Sequence, residues 1–431
     1  MIQNIVAMVV VAGMTGAESG RSGLDDVAQA YVRLVLALGV HDPDYVDAYY
    51  GPLEWRTAVE AAKRPLPEIR VEAAALLARL GTLAPSEGTS PDELVRLRHE
   101  YLVRQLQALS ARVEMLGGKT LRFDEESRAL YDAVAPSHDE GHFKEILAEL
   151  DGLLPGTGSL IERYASFRKQ FVVPPVKLAP VFTAAIAECR RRTLPHVDLP
   201  AGETFTVEYV KDKSWGAYNW YKGGFRSVIQ VNTDIPITID RAIDLACHEG
   251  YPGHHVYNAL LEKHLVRDRG WVEFSVYPLF SPQSLIAEGT ANYGIEVAFP
   301  ADERTAFERA TLYPLAGLDP ARAEVYARVQ HALAGLDYAA NEAARRYLEG
   351  RVDATGAAAW LETYALMEPD RARQRVKFFD QYRSYVINYN LGRDLVRAYV
   401  ERRGGSADRP SERWREFKAL LASPRLPAGL Q

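Results

Sequence analysis

The densest run of metal-ligating side chains in the chain is His248 to His255, HEGYPGHH, which holds three of the ten histidines together with Glu249. Imidazole nitrogens beside a carboxylate point to a divalent transition metal and a base that acts on water next to it. In a helical His-Glu-x-x-His the two imidazoles stand one turn apart, so both can hold one zinc ion while the glutamate serves as general base. Here Pro252 takes the place of the second histidine, and the spacing no longer works on a regular helix. Residues six apart are turned about 240° from one another, and residues seven apart share a face but stand about 10.5 Å apart along the axis. Neither pair can reach one ion through bonds of about 2.0 to 2.1 Å. Pro252 has no N–H to give the carbonyl of His248, however, and Gly253 can adopt backbone angles that other residues avoid. If these two residues bulge out as an insertion, His254 returns to the position one turn after His248, and Glu249 keeps its place beside the metal. His248 and His254 are therefore the expected ligands. His255 is expected to orient the site or to hydrogen-bond a carboxylate.

A catalytic zinc takes three protein ligands and leaves a position for water. The candidate for the third is Glu288, on a helix expected to begin at Ser281-Pro282 with a serine cap and proline at the first helical position. It is the one charged residue in SPQSLIAEGTANYGI, where a carboxylate is costly unless paired or metal-bound. The plainer alternatives are a histidine-rich helix end with a proline kink, and a Glu288 that pairs with a buried arginine. His264, near a helix end, reads as a solvent-facing residue that favours the negative end of the helix dipole.

These residues need elements to position them. The period from Leu24 to about Ala187 is almost continuously helical, as in Asp25 to Leu38 and Asp92 to Leu116, with breaks at Pro85 to Pro91, Pro136 to Asp139, Pro155 to Ser159 and Pro174-Pro175. Thr204 to Val210 and Phe225 to Asn232 read as two strands of a small sheet. The aromatic segment between them, Trp215 to Tyr221, either lines a cleft or covers the sheet. Helices are expected again over Ile239 to Leu265, Pro282 to Ala298, Arg322 to Leu348, Thr355 to Met367 and Asp370 to Arg402. The fold class is mainly α, with a small β element next to the metal-site helix. Residues 21–431 are expected to form one catalytic domain, with a helical lobe over 21–200 and the metal-site half over 201–431.

Composition narrows the function classes. The 431 residues are 47% hydrophobic and 25% charged, the balance of a globular protein. Lys plus Arg number 51 against 57 Asp plus Glu, a net charge of −6, so no basic excess favours nucleic acid. The two cysteines cannot build a disulfide framework or a thiolate zinc cluster. The apolar run Ile5 to Met14 is too short to span a bilayer but fits the core of a signal peptide, with Thr15-Gly16-Ala17 as a small-residue cleavage site, although no Lys or Arg precedes Arg21. A signal peptide over 1–20 and a periplasmic or secreted location are expected; the alternative is a frayed N-terminus in the cytoplasm.

HEGYPGHH, the downstream EGTANYG and Tyr389-Asn390-Leu391-Gly392 together resemble the bacterial DUF885 family, whose members look like distant relatives of the Taq-type (M32) metallocarboxypeptidases. The resemblance covers roughly the second half of the chain. It implies a large helical fold of the gluzincin type, with His248, His254 and Glu288 as ligands of zinc or another divalent transition metal and Glu249 as the catalytic carboxylate. The chain departs from the family at Tyr257, where many members have Gln, and at Arg383-Ser384-Tyr385, where many have Pro-Gly-Gln. Both departures bear on substrate preference.

The activity implied is metal-assisted hydrolysis of short peptides, in a carboxypeptidase-like manner, with Glu249 taking the proton of the attacking water. Tyr385, Tyr389 and Arg383, in QYRSYVINYNLG, are the candidates to stabilise the oxyanion. The same tyrosine spacing would also serve a core stripe with hydroxyls at its rim. The strand Phe225 to Asn232 is a candidate to pair with an extended peptide through its edge, and Arg383 or Arg226 to hold a terminal carboxylate. Two other readings stay open: a metal- or peptide-binding protein without hydrolysis, and a helical scaffold without metal.

Overall fold

Apolar residues three and four apart along Asp25 to Leu38 bury one face, with Val27, Tyr31, Leu34, Val35 and Leu38 all inaccessible, in the first helix, Val6–His41. The computed structural model describes residues 6–83, 93–213 and 215–431, as backbone alone over 6–22 and at 301. Residues 1–5 of the expected signal peptide and the break at Pro85 to Pro91 thus lie outside the described residues. The helix Glu93–Leu116 repeats the pattern through Leu97, Tyr101, Leu102, Leu106, Leu109 and Val113. The two helices are tied by Arg98, which donates to Asp25 and, deep in the core, to both oxygens of the fully buried Glu273. Among the described residues no helix is long and apolar enough to cross a membrane.

The small sheet has three strands, not two: β2 (Thr204–Val210), β3 (Ala217–Gly223) and β4 (Arg226–Asn232), in the order β2-β4-β3. The strand β1 (Val46–Tyr49) pairs separately with β5 (Val276–Pro278). β4 lies in the centre, parallel to β2 and antiparallel to β3. Both of its edges are hydrogen-bonded, which corrects the expectation that Phe225 to Asn232 pairs with a peptide. The aromatic segment forms β3, whose tight return through Gly223 and Gly224, both at positive φ, makes the hairpin to β4.

The helix Pro282–Ala298 begins where expected, although the Ser281 hydroxyl donates to the Pro278 carbonyl instead of capping the helix. It crosses the helix Ile387–Arg402 at Gly289 and Gly392. A Cβ on Gly289 would fall 2.5 Å from the Gly392 backbone, so the crossing needs glycine on both sides. The expected helix Asp370 to Arg402 is broken. Pro369–Tyr382 ends at Arg383, whose φ of 51° turns the chain through a short 3-10 segment before Ile387. Arg322 to Leu348 likewise divides into Ala323–Ala334 and Ala339–Leu348.

Candidate metal centre

Between the helices Ile239–Leu245 and His254–Leu261 the backbone does not stay α-helical. Ala246–Gly250 widens into a π turn, the Tyr251–Pro252 peptide is cis, and the Gly253 N–H donates to the Cys247 carbonyl at 2.9 Å. A Cβ on Gly253 would stand 1.9 Å from the His248 carbonyl oxygen, so the bulge admits glycine alone. The detour brings together two imidazoles that a regular helix would separate. Their centroids are 4.6 Å apart and their Nε2 atoms 3.1 Å apart.

Glu288 points its Oε2 at the same place, 3.3 Å from His248 Nε2 and 3.8 Å from His254 Nε2. Bonds of about 2.0 to 2.2 Å at tetrahedral angles space ligand atoms about 3.3 to 3.6 Å apart, and the separations of 3.1, 3.3 and 3.8 Å lie close enough that small side-chain shifts would seat one zinc ion. Oε2 is buried and has no hydrogen-bond partner, which is costly for a carboxylate without a cation. Glu249 also brings an oxygen within 4.8 Å of both imidazole nitrogens. Glu288 is the nearer acid and carries the orphaned atom, and Glu249 stands beside the same point.

Burial works against the charged form of Glu288, but the His248 imidazole 3.3 Å away, with His254 and the Tyr385 hydroxyl adding, outweighs it and holds the carboxyl below its ordinary range. Burial, with His248 close by, pushes His254 down to about 4, and burial pushes Glu249 up to about 7, with His248 opposing and Glu288 adding. Glu288 as carboxylate and His254 as neutral imidazole are the states in which each can ligate a cation.

A second set of contacts aims these side chains. The Tyr385 hydroxyl donates to Glu288 Oε1 at 2.8 Å. His248 Nδ1 meets Asn292 Oδ1 at 3.1 Å, an arrangement that assigns the proton to Nδ1 and turns the Nε2 lone pair inward. Asn292 in turn donates to the Tyr389 carbonyl. Asn292 was not singled out from the sequence, although its place one turn after Glu288 is a signal. A Tyr385→Phe variant is expected to bind zinc about 10- to 100-fold more weakly with its fold intact, as titration against a competing chelator would measure; unchanged affinity would remove Tyr385 from the site.

His255 faces away from this point. It is fully buried, with Nδ1 on the Ser227 hydroxyl at 2.9 Å and Nε2 on Glu203 Oε2 at 3.0 Å, so both nitrogens are engaged. The Tyr251 hydroxyl and Arg190 donate to the same Glu203, which fixes both flanks of the bulge. His264 meets Asp268 at 3.4 Å near the surface.

The three converging atoms open on a cavity of about 370 Å³. Tyr385 and Tyr389 line it, as do Trp215, Tyr218 and Asn219 of the aromatic segment. Arg383 does not. Its guanidinium donates to Glu126 at 2.6 Å, and the same carboxylate accepts from the Ser384 N–H and hydroxyl, so Glu126 holds the corner where the helix breaks. This corrects the expectation that Arg383 meets substrate. Arg226, on the central strand, does not line the cavity either. The arginines that do are Arg241, Arg371 and Arg375. Arg241 pairs with Asp244, whereas among the described residues no carboxylate pairs with Arg371 or Arg375, and Arg375 Nε is buried without a partner. Asp47, more than 200 residues before His248 in sequence, also lines the cavity. Its enclosure, with the Glu288 and Glu249 charges adding, pushes it up to about 8.

No family model matches the chain, and no curated protein matches it. Among solved structures it is similar to a candidate lipoprotein from Colwellia psychrerythraea, at 14% identity over 88% of this chain and 71% of that one, with a TM-score of 0.53. An M32 carboxypeptidase from Deinococcus radiodurans R1 aligns at 12% identity over 95% of this chain and 90% of that one, with a TM-score of 0.37. A candidate lipoprotein of unknown function from Shewanella oneidensis aligns at 12% identity over 86% and 78%, with a TM-score of 0.40. The first of these shows a shared fold. Function has to be argued from the site.

Proposed function

We propose that the chain is a metal-dependent hydrolase of the gluzincin type that cleaves short peptides, with residues 21–431 as one catalytic unit. The observation that carries this reading is the convergence of His248 Nε2, His254 Nε2 and the orphaned Glu288 Oε2, at 3.1 to 3.8 Å from one another, with Glu249 beside them. A zinc ion, or a related divalent metal, held by those three atoms supplies an electrophile for the scissile carbonyl and makes water a better nucleophile at neutral pH.

The chain's own groups do the rest. Glu249, 5% exposed, accepts the proton of the attacking water and returns it to the leaving amine. Asn219 donates to the Glu249 main-chain carbonyl at 2.6 Å, which anchors the π turn while the carboxylate stays free to act. The Tyr385 hydroxyl is committed to Glu288, so Tyr389 is the donor to the developing oxyanion. Arg375, with Arg371 at the rim, offers a guanidinium fork to a terminal carboxylate, which favours removal of residues from the C-terminal end.

A binding protein without hydrolysis would need the three ligands but not a buried carboxylate beside them, and Glu249 is therefore the residue that separates the two readings. A location outside the cytoplasm belongs to the proposal, on the strength of the apolar run Ile5 to Met14 and the small residues after it. The test is a mixed peptide library incubated with zinc-loaded protein and read by mass spectrometry. Shortening of short peptides from the C-terminal end is expected; an unchanged library would overturn the reading.

A further inference from the structure

Four carboxylates line the cavity, and three are accounted for. Glu288 and Glu249 belong to the metal centre, and Asp244 is paired with Arg304 at 2.9 Å and Arg241 at 3.2 Å. The fourth, Asp47, has no basic partner among the described residues. The charges that act on it are those of Glu288 and Glu249, both of its own sign. It is nonetheless built into place. In the pairing of β1 with β5, Val46 stands opposite Pro278 and Ala48 opposite Tyr277, so Asp47 is the extra residue of a β-bulge. Bulges of this kind re-aim a side chain and recur beside active sites. The Tyr218 hydroxyl, on β3, donates to Asp47 Oδ1 and fixes the carboxylate in the wall.

An acid that is positioned, partly desolvated and left without a cation of its own suits a cationic group on whatever occupies the cavity. Arg371 and Arg375 are the matching case of opposite sign, cations left without a carboxylate. The two sets do not neutralise each other: Arg375 lies near Tyr389, and no arginine is among the groups acting on Asp47. A cavity whose wall holds a carboxyl group with no cation beside it, arginines with no carboxylate beside them and the candidate metal centre matches a ligand that brings both missing charges, its ammonium ionising the acid it meets. A short peptide carries them at its two ends.

We propose that Asp47, held by Tyr218, is a specificity residue that binds the free α-ammonium group of the substrate, so that the enzyme selects very short peptides with an unblocked N-terminus. This rests on the peptidase reading above and narrows its substrate class. A peptide held at both ends cannot be long, and capping its amine removes the charge that Asp47 receives.

The experiment compares trialanine with its N-acetyl form, by turnover and by calorimetric binding, on zinc-loaded wild-type protein and on Asp47→Asn. For the wild type, the free peptide is expected to bind about 10- to 100-fold more tightly and to show a correspondingly lower KM, the range of a hydrogen bond to a charged group. In Asp47→Asn the preference collapses to near unity because the free peptide weakens while the acetylated one does not. Tyr218→Phe, which leaves β1 untouched, is expected to weaken the free peptide alone and by less; it serves if Asp47→Asn fails to fold. Equal handling of both peptides by the wild type, or a loss shared equally by both in the variants, would overturn the proposal. Should neither peptide be cleaved, the peptidase reading fails by itself, and binding still decides: a preference for the free amine that Asp47 carries supports the ammonium site, and no binding of either peptide refutes it.

Discussion

Glu249→Gln is expected to keep its zinc and its fold while losing peptide hydrolysis by about 10²- to 10⁴-fold, the range of a positioned general base. The substitution preserves size and leaves the main-chain carbonyl that Asn219 holds, and the three converging ligand atoms belong to other residues. What disappears is the proton acceptor. The loss should therefore appear in kcat, with metal content and melting temperature close to those of the wild type. Activity within a few-fold of wild type would take Glu249 out of the reaction, and a variant that also loses metal would show it to be a ligand.

Gly253→Ala should be as damaging by a different route. A methyl group there would lie 1.9 Å from the His248 carbonyl oxygen and 2.4 Å from that of Cys247, so the turn has to reopen. His248 and His254 then leave the register in which their Nε2 atoms are 3.1 Å apart. Overpacking of this kind costs about 1 to 3 kcal/mol or more, here charged mostly to the metal-bound form, and zinc affinity is expected to fall by at least about tenfold. Gly81→Ala is the control. Gly81 lies in the helix Leu66–Thr82 with nothing within 4 Å of an added Cβ, and alanine there is expected to be neutral or to stabilise by up to about 1 kcal/mol. Equal zinc affinity in Gly253→Ala and wild type would mean that the bulge does not set the ligand geometry.

The candidate metal centre was legible because its signals are local. The order His, Glu, Pro-Gly, His carries its own instruction to distort, and an acid alone in an apolar helix announces a partner. Where the sequence misled, the cause was tertiary. Tyr382, Tyr385 and Tyr389 read as a stripe on one continuous helix that also carries Arg383, but Glu126, some 250 residues earlier, captures Arg383 where that helix breaks. β4 looked like an edge because the glycine-bounded aromatic segment was not recognised as the strand that covers it. Asp47 carries no local signal at all: its role depends on a bulge against β5 and a hydroxyl on β3. Arg371 and Arg375 look like any solvated helical arginines until the cavity they face is known. Residues that make a turn chemically possible can be read from neighbours along the chain, whereas residues that select a substrate are assembled across it.

The most direct measurement is the metal content and melting temperature of the protein after chelation and zinc reloading, beside a Glu288→Gln variant treated identically. One zinc per chain is predicted for the wild type, with stabilisation of about 2.7 kcal/mol when free zinc exceeds the dissociation constant a hundredfold, and a large part of both lost in the variant. A wild-type protein that takes up no zinc and melts at the same temperature with and without it would contradict the account.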